Sequence, residues 1–298
     1  TTLALVEERN LKLLATFHYN SQEITNFTVD LKNLLNHIQK SYHLGITSAC
    51  FAAAGPVNKN KGYCQLTNTS WDVNLKIIKE ETTLKTILLL NDFEAIAYGI
   101  NVLPKKDIII IKKAKSNEKK TAMLIGAGTG LGKAVLVWNQ NHQSYTPLES
   151  EGGHADVVIY SKRELELVEY IKKRYCITNV TWEYVLSGQG IQNIYLFLQG
   201  LLPATATAEV IKASHYDPKI ISKYRTKDQI CEETFLWFSR FYGRCIKNYA
   251  LDILAVGGIY IGGGIATKNQ EIFKSKEFQQ ELTNNKKMRH ILEPIGVY

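Results

Sequence analysis

The seven residues Leu-Leu-Asn-Asp-Phe-Glu-Ala at positions 89–95 join an apolar run to a helical pattern. The preceding residues 86–90 are apolar and partly β-branched, which is typical of a strand buried on both faces. Asn91 and Asp92 suit a helix start, because short polar side chains accept hydrogen bonds from the first N–H groups of a helix. Ligands of open α/β sheets bind beyond the carboxyl ends of the strands, so Asp92 is either a helix cap or a carboxylate placed for chemistry.

The residues that precede this junction predict a small α/β domain. Its apolar periodicity alternates between strand and helix patterns. The predicted elements are a β-hairpin over residues 3–17, an amphipathic helix over 22–40, and strands over 46–54 and 63–68. The predicted helix that follows Asp92 ends near Pro104, and we place the domain boundary near Leu103. The small domain therefore covers residues 1–103.

A larger α/β domain is predicted over residues 104–292, and residues 293–298 begin a segment that returns to the small domain. The predicted elements of the large domain are strands at 107–111, 121–125, 134–138 and 259–261, and helices at 162–175, 182–199 and 228–250. The last helix carries aromatic residues at helical spacing. Such a stripe is typical of a buried core rather than of a cofactor site.

Bulk composition narrows the possible partners and the compartment. The chain has 298 residues, is 45% hydrophobic and carries a formal net charge of +8, which favours anionic partners in general. Its densest basic clusters, at residues 112–115 and 286–289, lack the interleaved aromatics of a single-strand binder, so we expect solvated loops and no nucleic-acid partner. The five cysteines form no CxxC pair, which indicates a reducing, cytoplasmic location. No apolar run is long enough for a membrane span.

The strongest local signal is the glycine-rich segment Gly-Ala-Gly-Thr-Gly-Leu-Gly at positions 126–132. A dinucleotide fingerprint needs a glycine at the sixth position and a helix afterwards, whereas this segment has Leu131 there and is followed by a strand pattern. It also lacks the Lys-Ser/Thr ending of a P-loop. Two interpretations remain: a turn whose N–H groups and Thr129 hydroxyl wrap an anion, or glycines that only permit a tight backbone.

Two further clusters carry polar groups or glycines in patterns that suit a ligand. Glu151 and His154 are separated by two glycines, so both side chains can reach one pocket and bind a polyhydroxylated ligand. A metal site that also uses Asp156 is a minor alternative. Gly263 and Gly264 stand between a strand pattern and a helix pattern, which indicates either a nucleotide seat or close strand–helix packing.

Taken in order, these motifs resemble the bacterial-type glucokinases. The similarity includes the Asn91-Asp92-Phe93 junction, the glycine turn at 126–132, the Glu-Gly-Gly-His segment at 151–154, Glu183 within residues 182–188, and the glycine-flanked strand at 257–264. The resemblance implies a two-domain α/β protein with the actin/hexokinase-like, or ribonuclease H-like, sugar kinase fold and an active-site cleft between its domains. The implied activity is transfer of the γ-phosphate of ATP to the 6-hydroxyl of glucose.

The resemblance also implies a role for individual residues. Asp92 would be the general base that takes the proton of the attacking sugar hydroxyl. The other sugar-binding residues would be Asn91, Glu151, His154, Glu183 and Asn68, the last within a substrate-side loop. The ATP-binding residues would be Gly128, Thr129, Gly130, Gly263 and Gly264, with Mg²⁺ shielding the phosphates. A homodimer is expected.

One departure from the family pattern bears on the ATP site. The family opens with an Asp-x-Gly-Gly-Thr-Asn phosphate loop ahead of the position of Thr1, and closes with a further strand and helix beyond Tyr298. We expect that the chain is trimmed at both ends. The alternative function is a non-catalytic sugar-binding or regulatory protein on the same fold, which would bind glucose without consuming ATP. The zinc signature of repressor-type sugar kinases is absent from the sequence.

Overall fold

The computed structural model describes residues 1–66, 69–115, 118–202 and 207–298. The chain divides into two compact units, Thr1–Ile96 and Ala97–Tyr298. The domain limits at residues 103 and 292 stay a prediction. In the described part of the chain, no helix has the length and apolar character that crossing a membrane requires.

The described residues of the first unit form three small sheets, two complete helices and the start of a third. Its elements are β1 (Thr2–Glu7), β2 (Lys12–His18), α1 (Phe27–Tyr42), β3 (Ser48–Ala53), β4 (Val57–Asn58), β5 (Tyr63–Gln65), β6 (Asp72–Asn74), α2 (Leu75–Glu81), β7 (Thr86–Asn91) and the start of α3 (Asp92–Gly99). β1 and β2 form the predicted antiparallel hairpin, β3 pairs with β7 in parallel, and β4, β5 and β6 form an antiparallel sheet.

Two predictions for this unit need correction. The predicted helix over 22–40 begins only at Phe27, because the Asn26 side chain accepts a hydrogen bond from Val29 N and so caps it. Strand β7 is present but is not buried on both faces: Leu89 lies in the core, whereas Leu88 is 57% exposed. Among the described strands β7 pairs only with β3.

A cavity of about 770 Å³ lies within the first unit. Strands β1 and β3 and helix α1 line it, mostly with apolar side chains that include Phe51. Among the described strands, β1 pairs only with β2, and β3 pairs only with β7. The core of this unit is therefore incompletely filled.

The second unit is built around one four-stranded sheet in the order β10-β9-β8-β11. Its elements are β8 (Ala122–Ala127), β9 (Leu131–Asn139), β10 (Ser144–Ser150), α4 (Lys162–Tyr175), α5 (Gly188–Gln199), α6 (Ala208–Ala213), α7 (Pro218–Tyr224), α8 (Gln229–Asp252), β11 (Ile259–Gly262), α9 (Gly264–Lys268), α10 (Lys276–Leu282) and α11 (Arg289–Leu292). β8, β9 and β10 are antiparallel, and β11 joins β8 in parallel.

Most predictions for this unit are confirmed, including the bounds of α4 and the burial of the aromatic stripe on α8. The predicted strand over 107–111 is wrong: Lys105–Asp107 forms a 3-10 turn, and Ile109 and Ile110 are exposed. The predicted helix over 182–199 is interrupted. Ser187 accepts a hydrogen bond from Gly190 N and starts α5, so residues before it form a separate 3-10 turn.

Candidate functional site

The junction of β7 and α3 holds Asn91 and Asp92. The Asn91 Oδ1 atom accepts hydrogen bonds from Phe93 N at 2.9 Å and Glu94 N at 3.4 Å, and its amide donates to Gly55 O. Asp92 Oδ1 also accepts from Phe93 N, at 2.9 Å. Asn91 therefore serves as the helix cap, and the exposed Asp92 carboxylate keeps a second oxygen that accepts no hydrogen bond from the described residues. The cap interpretation applies chiefly to Asn91.

Glu94, on the first turn of the same helix, is a residue to which sequence reasoning assigned no role. Its side chain is 5% exposed, and Oε1 accepts from Lys59 Nζ at 2.9 Å. Its Oε2 atom is buried without a hydrogen-bond partner among the described residues. The sequence could have indicated that Glu94 is buried, because Ala97, three positions later on the same helix face, is an apolar residue that lies in the core.

The glycine turn connects β8 to β9 as a hairpin, with Gly126 opposite Gly132 and Ala127 opposite Leu131. A strand follows the turn, so the structure agrees with the exclusion of a dinucleotide fingerprint. Within the turn, Gly128 N donates to Gly130 O at 2.8 Å. Gly128 O accepts from Gly188 N, the first residue of α5, at 2.8 Å.

Glu183 lies directly against this turn. Its Oε2 atom accepts a hydrogen bond from Leu131 N at 2.9 Å. A Cβ atom on Gly130 would approach the same oxygen to 2.6 Å, so the absence of a side chain at position 130 permits the contact. The structure thus brings together one predicted sugar-binding residue and one predicted ATP-binding residue.

Glu151 precedes the 3-10 turn Gly152–His154, and His154 is its last residue. His154 Nε2 lies 3.8 Å from Glu151 Oε2, and the side chains are 60% exposed for His154 and 93% exposed for Glu151. The turn between them is held close to β9, since a Cβ atom on Gly153 would lie 2.1 Å from Leu131 O. The two glycines therefore let the backbone sit on β9 while both polar side chains face outward.

The third glycine cluster also meets the glycine turn. Gly263 adopts a φ of 89°, and a Cβ atom there would lie 2.5 Å from Ala127 O, so close packing requires glycine at this position. Gly264 begins α9 and has open space beside it, as does Gly128. The contact of Gly263 with Ala127 O agrees with the close-packing interpretation, whereas nucleotide binding by these glycines stays a prediction.

Within the second unit, the predicted residues therefore converge on the β8–β9 hairpin. Asn91 and Asp92 lie together in the first unit. Asn68 lies outside the described residues. Among the residues that the structure describes, no group of three or more His, Cys, Asp and Glu side chains forms a candidate metal site.

The fold defines the class of protein first. A crystal structure of glucokinase from an Antarctic psychrotroph matches with a TM-score of 0.80 at 24% identity, covering 98% of this chain and 87% of that chain. A ROK family glucokinase from Streptomyces griseus, in complex with glucose and AMPPNP, matches with a TM-score of 0.60 at 18% identity, covering 95% and 86%. The chain has the actin/hexokinase-like fold of sugar kinases, as predicted.

The sequence comparisons then identify the family. The glucokinase family model matches residues 1–298. Glucokinase of Nostoc punctiforme is 33% identical over 314 residues, which cover 100% of this chain and 91% of that protein. Glucokinase of Synechocystis is 31% identical, covering 85% of this chain and 75% of that protein. The chain belongs to the glucokinase family, which confirms the resemblance and the enzyme class derived from the motifs.

Proposed function

We propose that this chain transfers the γ-phosphate of ATP to the 6-hydroxyl of glucose, giving glucose 6-phosphate and ADP, with Asp92 as the general base. The assignment of Asp92 depends on the different roles of two neighbouring residues at the start of α3. Asn91 caps the helix, so the neighbouring carboxylate remains exposed and has an oxygen available to accept a proton. Phosphoryl transfer needs little covalent chemistry from the protein, so one oriented base and well-placed donors suffice.

The second unit would supply groups for the other sugar hydroxyls. Glu151 and His154 offer exposed polar atoms on a turn whose backbone is packed against β9. Glu183 uses one carboxylate oxygen for Leu131 N and retains the other for a hydroxyl. Asn91 and Asn68 complete the proposed sugar-binding set. A hydroxyl network of this kind gives selectivity, because a sugar that lacks one hydroxyl leaves a polar group unpaired.

The nucleotide would be held by the backbone of the two glycine turns. Open space adjoins Gly128 and Gly264, and Thr129 is exposed, so a phosphate can approach these backbone N–H groups closely. Mg²⁺ would shield the phosphate charge. Mg²⁺ bound together with a nucleotide usually keeps several waters and is coordinated by phosphate oxygens and one or two carboxylates.

We also infer a cytoplasmic location and a homodimeric state. All five cysteines are free thiols in the structure, a condition that a reducing compartment maintains. The dimer follows from the family resemblance. Light scattering of the purified protein would test it, and a mass equal to one chain would contradict it.

The central experiment measures glucose phosphorylation and glucose binding for Asp92→Asn. Asn can still accept the hydrogen bond from Phe93 N but cannot act as a base, so we expect kcat to fall at least ~100-fold while the Kd for glucose stays unchanged. Asp107→Asn makes the same change at an exposed carboxylate outside the proposed site and is the control. Retention of more than about a tenth of the wild-type kcat would contradict the base assignment.

The same assays decide between an enzyme and a sugar-binding protein. Glucose binding by the wild-type chain without ATP-dependent turnover would support the non-catalytic alternative. Turnover that is lost in Asp92→Asn supports the kinase.

A further inference from the structure

The backbone of the Glu-Gly-Gly-His turn is held from the interior of the second unit by α8. The Tyr249 hydroxyl donates a hydrogen bond to Gly152 O, across 97 positions of sequence. Tyr249 is 8% exposed and belongs to the long helix that forms the centre of the core. The carbonyl between the two proposed sugar-binding side chains is therefore hydrogen-bonded to a long, largely buried helix of this unit.

Lys133 supports the same contact from strand β9. Its side chain is 7% exposed, and Nζ lies 3.9 Å from the centroid of the Tyr249 ring, within the range of a cation–π interaction. The aliphatic stem of Lys133 packs on the turn itself, since a Cβ atom on Gly152 would lie 2.7 Å from its Cδ. Lys133 thus fixes both the ring that reaches the turn and the turn that receives the hydroxyl.

Two backbone contacts complete the support of the turn. Gly152 N donates to Ser150 Oγ at 3.1 Å, and Gly153 lies against Leu131 O. The backbone between Glu151 and His154 is consequently contacted on several sides, although both side chains are exposed. Buried support beneath exposed polar groups is the arrangement that preorganises a binding site.

We propose that Tyr249 and Lys133 are positioning residues for sugar binding. They act through the Gly152 carbonyl, and they set the direction in which Glu151 and His154 leave the turn. Both are buried, so neither contacts the sugar. This inference rests on the proposed function, because it assumes that Glu151 and His154 bind the sugar hydroxyls.

Tyr249→Phe tests the proposal because it removes only the hydroxyl and keeps the ring beside Lys133. We expect the glucose KM and the glucose Kd to rise about 3- to 10-fold, the loss that one hydrogen bond of about 1 kcal/mol supports, with kcat within about twofold of wild type. The KM for ATP should not change. Tyr195→Phe is the matched control: its hydroxyl is also buried, but it forms no hydrogen bond within the described part of the chain.

A second pair of variants addresses the possibility that Tyr249→Phe folds poorly. Lys133→Met keeps most of the stem and removes the charge, and it should raise the glucose KM in the same direction by a smaller factor. Lys133→Arg retains a cation above the ring and should restore affinity. A purely structural role would instead lower the thermal midpoint and the active fraction, so that kcat falls and the glucose KM stays constant. That outcome in both positions would overturn the proposal.

The variants Glu151→Gln and His154→Gln distinguish a failure of the positioning role from a failure of the proposed sugar-binding function. If Glu151→Gln and His154→Gln leave the glucose Kd unchanged, the sugar-binding assignment fails and the positioning role fails with it. If those variants weaken glucose binding while Tyr249→Phe behaves like Tyr195→Phe, only the positioning role is overturned.

Discussion

The two units of this chain differ in how completely they bury their apolar residues. The first unit divides its strands among three sheets, and a cavity of about 770 Å³ lies beside its core. The second unit has one four-stranded sheet whose strand β8 is buried at every position, and a continuous core surrounds the 24-residue helix α8. The second unit is therefore the more completely packed one, and the first contains an open cavity.

This difference matches the division of the proposed roles. Stabilising charge on a transferring phosphoryl group requires donors that do not reorganise during the reaction. The glycine turn, Glu183 and the Glu-Gly-Gly-His turn all lie on the densely packed unit. The proposed base belongs to the other unit, where one oriented carboxylate needs only a well-capped helix start.

Truncation of a core side chain should give the largest difference between the two units in the loss of unfolding free energy. Phe238 is fully buried in the second unit, and Phe238→Ala should lower the free energy of unfolding by about 3–5 kcal/mol. Phe51 already lines the cavity of the first unit, so Phe51→Ala removes fewer contacts and should cost less than about 3 kcal/mol. Urea unfolding followed by tryptophan fluorescence measures both. Equal losses would contradict the contrast in packing.

Buried charge offers the next largest contrast. Arg244, almost fully buried, binds Glu164 at 2.8 Å and Glu281 at 2.6 Å, so Arg244→Met strands two carboxylates and should cost about 3 kcal/mol. The pair in the first unit joins Glu94 to Lys59, whose side chain is 52% exposed. Lys59→Met should cost less than Arg244→Met, because it strands one buried carboxylate rather than two. A larger loss for Lys59→Met than for Arg244→Met would reverse the comparison.

The same cluster predicts a pH dependence. Burial raises the pKa of Glu164, but hydrogen bonds from Arg244 and from the Tyr160 N–H outweigh that effect and hold the pKa below its ordinary value. The unfolded chain therefore binds more protons in this window, and the stability that Glu164 contributes is present above pH ~4.3 and is lost as the pH falls through the lowered pKa. Unfolding titrations from pH 6 to 3 should show this loss in the wild type and a weaker dependence in Arg244→Met.

The smallest expected effect concerns strand β7. Leu88 is 57% exposed, so Leu88→Thr should change the free energy of unfolding by less than about 0.5 kcal/mol. Leu89 lies in the core, and Leu89→Ala should cost about 2 kcal/mol or more. Denaturant midpoints for the two variants provide the measurement. A large effect at Leu88 would mean that β7 is buried on both faces after all.

Local patterns predicted individual elements well and the burial of those elements less well. The bounds of α4 follow from its N-cap Ser161 and its apolar spacing, both of which are local signals. The exposed face of β7 and the exposed Ile109 and Ile110 could not be inferred, because an apolar run has the same composition whether or not a neighbouring element covers it. The interruption at Ser187 depends on a capping hydrogen bond that competes with a continuous helical pattern.

By itself, the sequence determined the α/β class, the junction at Asp92, the glycine turn and the ordered motifs that resemble glucokinases, because these depend on residue type and spacing along the chain. Only the tertiary structure decided that Glu183 binds Leu131 N, that Gly263 packs on Ala127 O and that Tyr249 reaches Gly152. The residues joined by these three contacts are 52, 136 and 97 positions apart in the sequence, in the same order. Packing of the whole unit brings such residues together, and no local periodicity encodes their partners.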